Sequence, residues 1–194
     1  MKEYIMIRSI TAVALLAFVA PAMADGPSYN YIEGSYQRID IDDSFVDVDG
    51  DGFGIAGSFE VGDVWHVFAS FDSTELDFDV DIDELLVGGG FHTALSNNLD
   101  FVAELAYARF DASTQGFSFD DDGYSASLGL RGLAADRIEL AAFVDYVDLD
   151  SLNDDTSVRG EAWYKFTDSV AIGFEVGAGD DVRNYGIGAR VFFD

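Results

Sequence analysis

Phe53-Gly54-Ile55-Ala56-Gly57-Ser58-Phe59-Glu60-Val61 alternates without a break. Odd positions carry an apolar residue or Gly; even positions carry a small or charged one. In an extended chain, successive side chains point to opposite faces, so the stretch predicts a strand with one greasy face and one small or polar face. The same two-residue period recurs. Ile138, Leu140, Ala142, Val144 and Tyr146 alternate with Glu139, Ala141, Phe143 and Asp145. Val170, Ile172, Phe174 and Val176 alternate with Ala171, Gly173, Glu175 and Gly177, and Tyr185, Ile187, Ala189, Val191 and Phe193 close the chain in the same way.

Working outward, ten such segments fall near 29–40, 52–61, 65–78, 82–94, 99–110, 123–133, 137–148, 157–166, 170–179 and 184–193. Each has about 10–13 residues, the length a tilted strand needs to cross an apolar layer of about 25 Å. Strands of soluble domains are more often about 5–6 residues. Short connections near 62–64, 95–98, 134–136 and 167–169 alternate with longer ones near 41–51, 79–81, 111–122, 149–156 and 179–183. Short turns on one side and longer loops on the other, with both termini on the short-turn side, are the pattern of an outer-membrane barrel. The expectation is an all-β, up-and-down antiparallel transmembrane barrel of ten strands. Eight is the alternative if two segments form loop hairpins.

Composition narrows the function. The chain has 194 residues, 10 Lys+Arg against 37 Asp+Glu, a formal net charge of -27 and no cysteine. That charge excludes nucleic acid as a partner, because phosphate binding needs clustered Lys and Arg. Zero Cys excludes a disulfide scaffold, a thiolate metal site and a thiol nucleophile. Apolar residues reach 49% and aromatics 14%, too many for a disordered acidic chain. Lys2 and Arg8, the apolar run 10–20, Pro21 and Ala22-Met23-Ala24 read as a secretory signal with cleavage after Ala24. This leaves residues 25–194 as the barrel domain. No later run of apolar residues is long enough for a transmembrane helix.

Which face meets lipid follows from aromatic placement. Tyr36, Tyr107, Tyr124, Tyr146 and Tyr185 fall on the apolar parity near one set of strand ends. Trp65, Tyr164 and Phe193, with Phe59, Phe91 and Phe166, fall near the other. Two belts of rings suit the two membrane–water interfaces. The opposite face is rich in Gly, Ala and Ser, which suits a narrow lumen. There the parity places Glu60, Asp72, Glu84, Glu104, Glu139, Asp145, Glu161 and Glu175 with Arg131, Arg159, Lys165 and Arg190. Buried charges must be paired or solvated, so a lumen charge network is expected, with Glu60, Glu104, Glu139, Glu161, Glu175, Arg131, Arg159 and Arg190 as its members. Bulky inward Phe143, Trp163 and Phe192 favour a plugged barrel. The excess of acid favours a narrow, cation-preferring, porin-like channel as the alternative.

Other chemistry is thin. Asp47-Val48-Asp49-Gly50-Asp51-Gly52 matches the first half of a calcium loop, but Ser58 stands where the bidentate acid belongs. Asp47, Asp49 and Asp51 are therefore candidates for weak calcium, and the acidic external loops for loosely bound divalent cations; no other cofactor is expected. His66 and His92, the only histidines, fall near the short-turn end, far from the loops where an external hydrolase would work. No catalytic residue is assigned. Arg38 and Arg109 sit at the external rim, within reach of lipid and lipopolysaccharide phosphates.

Ser28-Tyr29-Asn30-Tyr31-Ile32-Glu33-Gly34-Ser35-Tyr36, just after the signal, resembles the mature N-terminus of a small outer-membrane β-barrel family of gammaproteobacteria. That family was described from xanthomonads as exported quorum or plant-immunity factors. The resemblance implies a bacterial outer-membrane location and insertion by the barrel-assembly machinery, which reads a terminal aromatic; here Phe193 is followed by Asp194. The functional expectation is a non-enzymatic barrel with an envelope-structural or surface-interaction role through acidic external loops. An exported signalling or elicitor precursor is a further alternative, and small ions are the remaining candidate partners.

Overall fold

The computed structural model describes residues 26–42, 47–77, 79–152 and 154–193; the expected signal peptide lies outside them. Ten strands form: β1 (Tyr31–Asp42), β2 (Asp47–Glu60), β3 (Trp65–Leu76), β4 (Val80–Ser96), β5 (Leu99–Thr114), β6 (Phe117–Ala135), β7 (Ile138–Leu149), β8 (Asp155–Thr167), β9 (Val170–Ala178) and β10 (Val182–Phe192). Each pairs antiparallel with its sequence neighbours, and β1 pairs with β10 from Tyr31↔Phe192 to Ile41↔Val182, closing the ring. Closure satisfies every ladder edge, which is the condition for a sheet to cross hydrocarbon.

The barrel is inside-out. Among the described residues, thirty-one large apolar side chains are exposed, whereas the buried hydrophobic set holds nine. On β2, Phe53, Ile55 and Phe59 are all more than half exposed, while the intervening Gly54 and Ser58 are buried. A continuous apolar surface of this extent is shed from water by lipid.

The aromatics expected in the belts lie on the outer face. Tyr36, Trp65, Tyr107, Tyr124, Tyr164, Tyr185 and Phe193 are exposed, and Tyr146 is half-buried against Tyr124, with ring centroids 6.1 Å apart. Tyr36 donates its hydroxyl to Asp51 at 2.8 Å, and Tyr124 donates to Asp148 at 2.9 Å. Each ring lies on the apolar band while its hydroxyl reaches the first carboxylate beyond it, the amphipathic arrangement that anchors a strand at an interface.

The long loops expected on the external side are mostly strand. Residues 111–122 complete β5 and β6, and the hairpin closes on Gln115 and Gly116, the latter at φ 92°. The β3–β4 connection is equally tight and passes through Asp79 at φ 57°. Much of the acid expected in loops, such as Asp49, Asp51, Asp120, Asp121 and Asp122, therefore lies on strand ends. With 17, 16 and 19 residues, β4, β5 and β6 are the longest strands. At about 3.3 Å per residue and a tilt of about 40°, β6 outruns the ~25 Å apolar band, so its outer turns stand in water. The turns at the other end, with Gly62 at φ 78° in the first, are as short as expected.

Candidate functional site

The lumen divides into a filled half toward the termini and an open half toward the strand extensions. In the filled half the chain before β1 folds under the barrel as a strap, residues 26–30. Tyr29 is 2% exposed. Its ring stacks on His92 and His66, at centroid distances of 3.9 and 4.9 Å, and its hydroxyl donates to Asp100 at 3.1 Å. Glu60 accepts from the Tyr29 and Asn30 amides, and Asn30 accepts the Glu60 N–H at 2.8 Å. From the other side Arg131 donates to the Ser28 carbonyl at 2.9 Å.

Above the strap lies a connected ionic layer. Glu139 is wholly buried and takes Arg131 at 2.7 Å, Arg190 at 3.3 Å and Lys165 at 3.6 Å. Arg190 continues to Glu33 at 2.7 Å and Glu161 at 3.3 Å, and Glu161 joins Arg159, which also holds Asp145 at 3.1 Å. Aromatic faces cover the cations: Arg190 lies 3.9 Å from the Trp163 ring and 4.1 Å from Tyr31, and Arg159 lies 4.4 Å from Phe143. A buried cation against a π-face and a carboxylate is both paired and desolvated.

Two glycines make room for this layer. Gly173 faces Trp163 in register and Gly129 faces Phe143, and a Cβ at either would collide with the opposing ring. The small residues that the sequence assigns to lumen geometry are thus seats for inward aromatics folded across the strand pair.

The open half is a cavity of about 480 Å³ floored by Tyr29 and Arg131. Eight carboxylates and three guanidiniums line it. At the rim, Arg38 pairs with Asp40 and Asp49, and Arg109 with Asp111 and Asp120. The hydrogen-bonded Arg109 guanidinium holds the Asp111 carboxyl below its usual range.

All eight residues expected in the lumen network point inward, but they separate into groups. Glu139, Glu161, Arg131, Arg159 and Arg190 form one network, joined by Glu33, Asp145 and Lys165. Glu60 serves the strap, and Glu104 meets the His66 ring at 2.9 Å. Glu175 accepts only from Asn184, at 3.4 Å. The calcium-loop reading meets a different geometry: Asp47, Asp49 and Asp51 sit on β2 as extended residues, and on such a strand the Asp49 and Asp51 side chains run parallel rather than converge. Asp49 is held by Arg38 and Asp51 by Tyr36. No group of three or more His, Asp or Glu side chains among the described residues is arranged to hold a metal ion.

Both histidines line the filled half. His66 Nδ1 and His92 Nε2 are buried without a hydrogen-bond partner, and neither imidazole meets a serine or threonine hydroxyl among the described residues. The sequence reading missed Tyr29, placed there in the first strand, and Glu33 and Asp100. The last two carry inward parity and were legible; the strap was not.

A closed barrel, greasy outside and ionic inside, defines a transmembrane β-barrel protein. The chain belongs to the outer membrane protein beta-barrel domain family, which matches residues 10–176, and it resides in the bacterial outer membrane. No curated protein matches the sequence. Among solved structures it is similar to the KdgM porin in complex with disordered oligogalacturonate, at 12% identity over 84% of this chain and 99% of that one, TM-score 0.50. It is also similar to the β domain of the Bordetella autotransporter Brka, at 13% identity over 84% and 99%, TM-score 0.53. A third is the translocator domain of the autotransporter NalP from Neisseria meningitidis, at 9% identity over 86% and 89%, TM-score 0.51. At these identities the likeness is one of fold.

Proposed function

We propose that this barrel is a non-enzymatic outer-membrane protein whose lumen is blind at the periplasmic end, and that it acts at the envelope surface rather than as a through-channel. The observation that carries this reading is the double closure below the cavity. The Tyr29 strap and the Arg131–Glu139–Arg190 layer leave Glu139 wholly buried. The motif that resembles the xanthomonad exported factors supports a structural role, since its Ser28, Tyr29, Asn30, Tyr31 and Glu33 build the closure. At the surface, the rim arginines are already held by aspartates, so the strand ends present net acid. Divalent cations then bridge these carboxylates to lipopolysaccharide phosphates, with the apolar band in lipid and insertion left to the barrel-assembly machinery. The test is conductance in planar bilayers. The closed lumen predicts no steady current; stable, cation-selective steps would establish the porin-like alternative that the acidic cavity favours.

A further inference from the structure

We propose that the open half of the lumen is a binding site for a small linear organic polycation, a polyamine in chemical class. The proposal builds on the lumen reading above, but the wall that would hold the molecule does not depend on whether the floor is sealed. Three carboxylates there make no ion pair among the described residues. Asp72 and Glu84 stand directly opposite each other on β3 and β4; Asp72 accepts only from Gln37, at 3.3 Å, and Glu84 has neither a hydrogen bond nor an ion pair. Glu175 on β9 has only Asn184.

An independent observation comes from β6. Ser125 and Ser127 are 6% and 8% exposed, line the cavity, and have no hydrogen-bond partner among the described residues. Ser127 lies in register between Glu104 on β5 and Asp145 on β7. Hydroxyls and carboxylates that face one cavity without protein partners are free to take donors and positive charge from a molecule that enters it. The volume falls in the range of small-molecule sites, about 300–1,000 Å³. The acids come from β3, β4 and β9 and do not converge on a point, and no metal-holding group of three exists among the described residues. A chain of ammonium groups spaced by methylenes meets that distribution; a single metal ion does not.

The test is calorimetric titration of spermidine into the folded barrel in detergent, with folding checked by heat-modifiable gel mobility. One equivalent is expected to bind. The lumen variant Asp72→Asn/Glu84→Gln should lose about tenfold or more in affinity, and the rim variant Asp120→Asn/Asp122→Asn, which removes equal charge outside, less than about twofold. Ser125→Ala/Ser127→Ala should lose affinity by a smaller factor. Equal losses in the lumen and rim variants, several weak equivalents, or full competition by equimolar magnesium would overturn the site. The two proposals fail separately: a steady current blocked by spermidine would remove the blind end and keep the binding site, whereas a silent barrel with no spermidine heat would do the reverse.

Discussion

The two halves of the lumen solve the problem of interior charge in opposite ways. Toward the termini, Glu139 has three cations, each arginine has a carboxylate and an aromatic face, and Tyr29 lies buried against Arg131. Toward the strand extensions, Asp72, Glu84 and Glu175 face a cavity with hydroxyls and amides but make no ion pair among the described residues. The first half is a folded core built of ions and is expected to carry stability. The second has surplus charge that no packing interaction requires, and is where function is expected.

That contrast breaks most sharply at Glu139. Glu139→Ala strands two buried guanidiniums and the half-buried Lys165 and should destabilise the barrel by about 3–5 kcal/mol, read from urea unfolding in lipid vesicles. A loss below about 1 kcal/mol would mean that the layer is wet. Tyr29→Ala removes the buried ring that stacks on both imidazoles and should cost about 3 kcal/mol by the same assay, with faster hydrogen exchange confined to residues 26–30. Gly173→Ala drives a methyl into the Trp163 ring and should cost about 1–3 kcal/mol. In the open half the sign reverses. Glu84→Gln relieves a like-charge pair with Asp72 and should raise stability by about 0.5 kcal/mol. At the rim, Asp49→Asn breaks a pair whose side chains are both more than half exposed, and the unfolding midpoint should not move measurably.

Much of this was legible because a two-residue period sorts side chains by face without any knowledge of partners. The strand count, the belts at Tyr36 and Trp65, and the inward parity of Glu139 and Arg190 all follow from it. Register does not. That Glu139 sits among Arg131, Arg190 and Lys165, while Glu175 makes no ion pair among the described residues, depends on which rows of strands lie level, and a single chain does not state that. Residues 111–122 were expected as loop because their polarity masks an alternation that continues in water, where both faces of a hairpin are wet. Residues 26–30 were hidden for the converse reason. Tyr29 keeps the strand period of Tyr31, yet the chain turns under the barrel there because Asp100, Glu60 and Arg131 offer the partners.

The central claim is a lumen reachable from one side only. The chain has no native cysteine, so Ser70→Cys places a single thiol in the cavity wall. Barrels inserted in one orientation into liposomes are exposed to a membrane-impermeant maleimide, added outside or trapped inside. Labelling from the strand-extension side alone is predicted; equal labelling from both sides would contradict the account.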